Sequence, residues 1–157
     1  MSDIAKQLFS EELIFFDYEA ESYEELFKSI GKELIDLGYV KDSWPDAVLE
    51  REQEYPTGLP TEGIKIALPH TYPEHCIKPG IAVVKLRKPV MFREMGSDDG
   101  KVDAQLIFFI IGNEPAKHLK VLNQLMELFG DKDNLEALWE EARDKSTMFA
   151  AIQRRFS

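Results

Sequence analysis

The order of apolar and polar residues along the chain sets out a run of alternating helices and strands. Leu13 to Tyr18 is a short apolar and aromatic stretch that predicts a first strand. Ser22 then opens a helix, with Glu25 three residues on to complete a capping box. Tyr23, Leu26, Phe27, Ile30, Leu34 and Leu37 share one face of that helix, and Gly38 stands where a C-terminal glycine stops it. A second helix is expected from about Ser43 to Tyr55. A loop with Pro56, Gly58, Pro60 and Gly63 follows, then a strand over Ile64 to Leu68 that Pro69 stops. Ile81 to Leu86 predicts another strand, and Val90 to Phe92 a short one beyond Pro89. Met95 to Lys101 is rich in turn formers. Ala104 to Ile111 is almost continuously apolar, the pattern of a strand covered on both faces.

Past Gly112, Asn113 and Glu114, Pro115 starts a helix at a position that tolerates proline. Leu119, Leu122, Leu125, Met126 and Phe129 give it an apolar face. Two shorter helices are expected at Asn134 to Arg143 and Ser146 to Arg155. Helices before and after a block of strands point to the α/β class, with a mixed β-sheet flanked by helices on both faces. No linker, repeat or low-complexity stretch interrupts the 157 residues, which are expected to form a single domain, 1–157.

Composition narrows the partners. The net charge is 19 − 29 = −10, which repels the phosphates of nucleic acid and anionic membranes and suits a partner with a basic patch. No basic region followed by an apolar stretch occurs in Met1 to Ser10, and Leu106 to Ile111 is far too short for a membrane span. The expectation is a cytoplasmic protein without membrane insertion. The one cysteine, Cys76, has no partner for an internal disulfide and is read as a bystander.

The candidate chemistry rests on His70, His118 and Arg51. His70 follows Pro69 at the carboxyl end of a predicted strand, where ligand sites of open α/β sheets collect. His118 falls in the first turn of the helix that follows strand 104–111, on the side of Leu122 and Leu125. If the two strands run side by side in one direction, the histidines converge. A helix N-terminus favours bound phosphate and a neutral imidazole, the form in which a ring nitrogen keeps the lone pair needed to accept a phosphoryl group. Trp44, Val48, Arg51 and Tyr55 lie on one face of the second helix, so Arg51 is either a phosphate clamp, a salt-bridge partner of Glu52 or Glu54, or a snorkelling side chain. A metal site built from His70, His75 and His118 is conceivable, but the spacing matches no zinc motif. There is no glycine-rich loop of the nucleotide-binding kind and no aromatic platform for bases.

Leu49-Glu50-Arg51-Glu52, Pro56-Thr57-Gly58-Leu59, Ile66-Ala67-Leu68-Pro69-His70 and Lys117-His118-Leu119, with Gly38-Tyr39-Val40 and Lys78-Pro79-Gly80-Ile81-Ala82, together resemble the fructose–mannitol type EIIA domain of the bacterial phosphotransferase system (PTS, EIIA type-2). The resemblance runs from the first helix through Phe129. Pro69-His70-Thr71, Met95-Gly96-Ser97 and Val102-Asp103 are most similar to the galactitol-specific branch, although many fructose-type members have glycine where Thr71 stands.

The resemblance implies that His70 is the phosphorylated histidine, through Nε2, with His118 and Arg51 as the other active-site residues. It implies a phosphoryl donor, HPr, an acceptor cysteine on an EIIB subunit, an EIIC membrane subunit in the same system, and no metal or organic cofactor. Three other readings stand beside it: a nitrogen-type regulatory relative that binds partners according to its phosphorylation state, a metal-dependent hydrolase, and a plain structural or interaction domain. Leu59, Ile77 and Met95 are expected on an apolar rim around His70 where partners dock.

Overall fold

The structure is a computed structural model that describes residues 7–112 and 115–155; the side chains of residues 115–118 lie outside that description. Five strands form one mixed sheet: β1 (Ile14–Tyr18), β2 (Gly58–Leu59), β3 (Ile66–Ala67), β4 (Gly80–Arg93) and β5 (Lys101–Ile111). Their order across the sheet is β1-β4-β5-β3-β2. β1 runs parallel to β4 and β3 parallel to β5, whereas the β4–β5 and β2–β3 pairs are antiparallel. The helices are α1 (Tyr23–Asp36), α2 (Trp44–Glu54), α3 (Pro115–Phe129), α4 (Lys132–Glu141) and α5 (Lys145–Arg155).

Side chains of successive strand residues point to opposite faces, and both faces here are covered. Ile14, Ile66, Ile81, Val83, Phe108 and Ile110 pack with α3, α4 and α5 through Leu125, Phe129, Leu138 and Ile152. Ala67, Ala82, Val84, Ile107, Phe109 and Ile111 pack with α1 and α2 through Phe27, Ile30, Leu34, Trp44 and Val48. The continuous apolar run of β5 therefore feeds two cores, each buried aromatic contributing about 2–3 kcal/mol of transfer free energy. The flanking helices on both faces match the α/β expectation.

Local chemistry fixes the helix ends. Ser22 Oγ accepts from the Glu25 backbone N–H, as a capping box requires. Gly38 closes α1 at φ +84°, with Gly38 N–H donating to the Ile35 carbonyl and Tyr39 N–H to that of Leu34. That pair of bonds is the Schellman arrangement. Asp131 caps α4 through the Asp133 N–H, which starts the helix at Lys132, two residues before the expected Asn134.

Three departures from the expected strands have physical causes. Val90 to Phe92 is not a separate strand: β4 runs through Pro89. The β4–β5 register slips between Lys85 and Val90, so the missing N–H of Pro89 falls where the ladder is already interrupted. Gly58–Leu59, expected as loop, pairs with β3 as an edge strand. The Ile64 to Leu68 strand shrinks to Ile66–Ala67. Lys65 N–H turns to the Gln105 side chain, and Leu68 N–H turns to Thr57.

Short as it is, β3 keeps its register with β5 beyond its own end. Ile66 lies opposite Leu106, Ala67 opposite Ile107 and His70 opposite Ile110, so the offset stays at 110 − 70 = 40 residues throughout. The Ile110 N–H donates to the Pro69 carbonyl at 3.2 Å.

Gly58 makes this arrangement possible. A Cβ there would sit 2.6 Å from the Arg93 carbonyl oxygen and 3.1 Å from Phe92 and Val102 Cβ. Gly58→Ala is expected to cost about 1–3 kcal/mol by overpacking, read as a lower urea midpoint with an unchanged m-value; an unchanged midpoint would show that β2 yields freely.

Candidate active site

His70 and Arg51 arrive at one cleft from different parts of the chain. The parallel pairing of β3 with β5 delivers His70, and α2 presents Arg51 from its last turn. Thr71, Tyr72 and Pro73 continue the chain along the cleft, and Leu119 and Leu122 of α3 close it, around a volume of about 280 Å³. The condition for the two histidines to converge is therefore met at the level of strands and helices. His118 lies in α3 directly before Leu119, but its side chain falls outside the described residues.

The imidazole of His70 has a defined tautomer. Its Nδ1 lies 2.8 Å from the Leu68 carbonyl oxygen. A carbonyl only accepts, so Nδ1 carries the hydrogen and the neutral ring has its lone pair at Nε2. Burial pushes the pKa of His70 below its ordinary value, and the nearby Arg51 charge adds to that; the Leu68 bond works in the opposite direction. Near neutral pH the ring is held in its neutral form.

Arg51 takes none of the carboxylate partners that its sequence position suggested: no ion pair among the described residues involves it. Its guanidinium lies 4.7 Å from the Tyr55 ring centre and 5.0 Å from that of Tyr72, and it donates to the Tyr72 hydroxyl at 3.1 Å. Cation–π stacking orients the planar group without neutralising it. Arg51 is half-buried and Tyr55 is 51% exposed, so they sit on the flank of α2 and not in its apolar stripe. The inward stripe is Trp44, Val48 and Glu52, spaced i, i+4, i+8 and all buried.

Glu52, which its sequence position suggested only as a salt-bridge partner of Arg51, turns inward. Its carboxylate accepts both the backbone N–H and the hydroxyl of Thr57, each at 2.7 Å. Burial raises its pKa to about 7, against the opposing effects of the two Thr57 bonds and of Arg93 and Arg51. The i, i+4, i+8 spacing from Trp44 was the available signal for a carboxylate turned inward.

The remaining candidates lie elsewhere. His75 Nδ1 is 2.8 Å from Ser43 Oγ, and His75 borders a recess of about 100 Å³ next to Arg51, Thr71 and Tyr72. His75 does not line the cleft of His70. Cys76 is buried against the α1 face of the core, and burial pushes its thiol up, which makes it a poor nucleophile. Leu59, Ile77 and Met95 do not line the cleft; its exposed apolar residues are Tyr72, at 52%, and Leu119, at 59%. Among the described residues no three His, Cys, Asp or Glu side chains are grouped to hold a metal ion, and no helix is long and apolar enough to cross a membrane.

A mixed α/β sheet that carries a neutral histidine beside an oriented arginine suits a phosphoryl-accepting protein. Residues 7–155 match the model of the family described as phosphoenolpyruvate-dependent sugar phosphotransferase system, EIIA 2, and the chain belongs to that family of phosphotransferases. Over 114 residues it is 33% identical to the galactitol-specific EIIA component of Escherichia coli K12, covering 73% of this chain and 75% of that protein. Among solved structures it is similar to the complex of mannitol enzyme IIA with phosphorylated enzyme IIB from Escherichia coli. That match has a TM-score of 0.71 and 25% identity, over 92% of this chain and 98% of the other. Nitrogen regulatory protein IIA-Ntr from Neisseria meningitidis aligns with a TM-score of 0.73 and 26% identity, over 96% and 99% of the two chains.

Glu52 also gives the site a signature in stability. Its carboxyl binds a proton more tightly in the folded chain than in the unfolded one, so stability falls as pH rises from about 4.5 to about 7. The full effect is roughly 3 kcal/mol at 1.36 kcal/mol per pKa unit. Glu52→Gln is expected to remove this slope, so that the gap between variant and wild type in urea unfolding changes between pH 5 and pH 8. A gap independent of pH would mean that Glu52 ionises normally.

Proposed function

We propose that this protein is a phosphoryl carrier of sugar uptake, in which His70 Nε2 accepts phosphate from phospho-HPr and passes it to a cysteine of an EIIB subunit. The observation that carries this reading is the bond from His70 Nδ1 to the Leu68 carbonyl, which leaves the nucleophilic lone pair at Nε2 within the cleft that Arg51 lines. In the accepting step the P–N bond of phosphohistidine in HPr breaks as a new P–N bond forms at Nε2; the donor ring, which carries a hydrogen on its other nitrogen, leaves as a neutral imidazole, and His70 keeps its hydrogen at Nδ1. In the second step the thiolate of EIIB takes the phosphoryl group, and His70 regains its lone pair. Arg51 supplies charge and hydrogen bonds to the equatorial oxygens, and His118 is assigned the same role from α3. The scheme needs no metal and no organic cofactor.

An EIIB subunit as acceptor is supported by the mannitol complex, and a galactitol-type substrate by the identity to the galactitol component. An EIIC membrane subunit belongs to the same scheme. The likeness to IIA-Ntr favours a second reading, a regulator that binds partners according to its phosphorylation state. Transfer of phosphate from this chain to a galactitol-type EIIB separates the two, because a regulator would retain it.

The first test is incubation with phosphoenolpyruvate, enzyme I and HPr, followed by intact mass spectrometry in alkali. Wild type should gain one phosphate and His70→Ala none. Phosphate retained by His70→Ala would remove His70 from the role. Arg51→Lys keeps the charge but loses the planar fork, and is expected to slow transfer by about tenfold or more; a rate equal to wild type would reduce Arg51 to a structural cation.

A further inference from the structure

Hydrogen bonds link the buried Glu52 to the ring of His70 by way of the Leu68 backbone. Glu52 Oε1 accepts the Thr57 hydroxyl hydrogen at 2.7 Å, and Oε2 accepts the Thr57 N–H at 2.7 Å. With its hydrogen committed to Glu52, Thr57 Oγ1 offers its lone pairs to the Leu68 N–H at 3.3 Å, a bond shared with the Thr57 carbonyl at 3.4 Å. The carbonyl of Leu68 in turn accepts from His70 Nδ1. Glu52 is 2% exposed and Thr57 3%, so water does not compete for these groups. A carboxylate buried in this way, on the apolar stripe of α2, has a high desolvation cost that packing alone would have favoured replacing.

We propose that Glu52 is a positioning residue for phosphoryl transfer, acting through Thr57 to fix the backbone on both sides of Leu68 and so hold the His70 ring in the tautomer and orientation that present Nε2 for attack. This rests on His70 being the phosphoacceptor. Glu52 touches neither the phosphate nor the reacting nitrogen. Its ionised form can only accept, which forces Thr57 to donate to it and to receive from Leu68. A protonated Glu52 can instead donate to Thr57 Oγ1, which takes from the Thr57 hydroxyl hydrogen its fixed acceptor, so the line loses its fixed direction.

The groups around Glu52 define how its charge responds to pH. Burial opposes the carboxylate, while the Thr57 bonds, Arg93 from β4 and Arg51 on its own helix favour it; Tyr23 of α1 is raised by burial first, with the charges of Glu24 and then Glu52 adding to it. The balance lies at about 7 for Glu52, so the two forms exchange within the physiological range.

The test is the rate of phosphate acceptance by the full chain from phospho-HPr, with enzyme I and phosphoenolpyruvate regenerating the donor, from pH 6 to 8.5. In wild type, kcat should rise through an ionisation near 7. Glu52→Gln, whose amide donates as protonated Glu52 does, should be about tenfold slower at pH 8, flat through that window, and unchanged in KM for phospho-HPr. Thr57→Val should reproduce the loss and Thr57→Ser reverse it, which decides the matter even if Glu52→Gln fails to fold. The nitrogen-15 shifts of the His70 ring should show a mixed tautomer in the slow variants. Rates, pH profile and ring shifts equal to wild type in both Glu52→Gln and Thr57→Val would overturn the proposal. Failure of wild type itself to accept phosphate would instead overturn the assignment of His70.

Discussion

The pairing of β3 with β5 is the constraint on which the site depends. Two residues of strand cannot hold themselves in place, since an isolated pair of short strands is marginal in water. β3 is held because β5 lies on one side of it and β2 on the other, both of its side chains are fully buried, and the register with β5 continues to His70. Pro69 cannot extend the ladder as a donor, but its carbonyl still accepts from Ile110. The chain thus leaves the sheet with His70 fixed at the carboxyl edge, in the place where α/β sheets present their ligands.

From that anchor the site is assembled by elements far apart in sequence. Gly58 lets β2 approach β4 and β5 closely, which holds the Thr57 loop against the start of the His70 segment. Trp44 and Val48 bury the inner face of α2, which sets Glu52 inward and leaves Arg51 on the rim between Tyr55 and Tyr72. Neighbouring residues on one helix thus do opposite electrostatic work. Arg51 keeps its charge by stacking at the surface, whereas burial pushes Glu52 up to about 7 and the Thr57 bonds only oppose that rise. The loop beyond His70 is tied down as well, by Lys41 N–H on the His75 carbonyl and by Ile77 N–H on that of Tyr39.

Much of the fold was legible because local chemistry and global packing agree there. Ser22, Glu25 and Gly38 mark both ends of α1, the apolar run of β5 marks a strand buried on two faces, and Pro115 marks the start of α3. The strand ends were not legible, because they depend on pairing that a single sequence does not display. Pro89 looks like a stop and lies inside β4, since its place in the ladder had already been vacated by a register slip. Gly58–Leu59 looks like loop and becomes an edge strand, because Gly58 alone can pass that close to Arg93. In the cleft, His70 and Arg51 stood out by residue type and position. Glu52 and Thr57 did not, because a glutamate on a charged helix and a threonine beside a proline carry no mark of burial unless the helical spacing from Trp44 is followed two turns further.

For the phosphoryl transfer proposed above, the arrangement divides the labour between a rigid interior and an adjustable rim. A phosphoryl acceptor must be neutral, correctly oriented and able to give the group up again, so it gains from small fixed restraints more than from strong binding. His70 receives its restraint through the backbone, from Leu68, and its neutrality from burial. Arg51, by contrast, is held by aromatic faces and one hydroxyl, partners that a guanidinium can leave for a phosphate at small cost, because stacking and a neutral hydrogen bond are each weaker than a charge-assisted pair. An Arg51 tied instead to Glu54 would have to break an ion pair each time phosphate arrived. The tyrosine sandwich therefore keeps the guanidinium ordered and its charge uncommitted, which under the proposed function is the state in which it would follow the phosphoryl group onto His70 and release it afterwards.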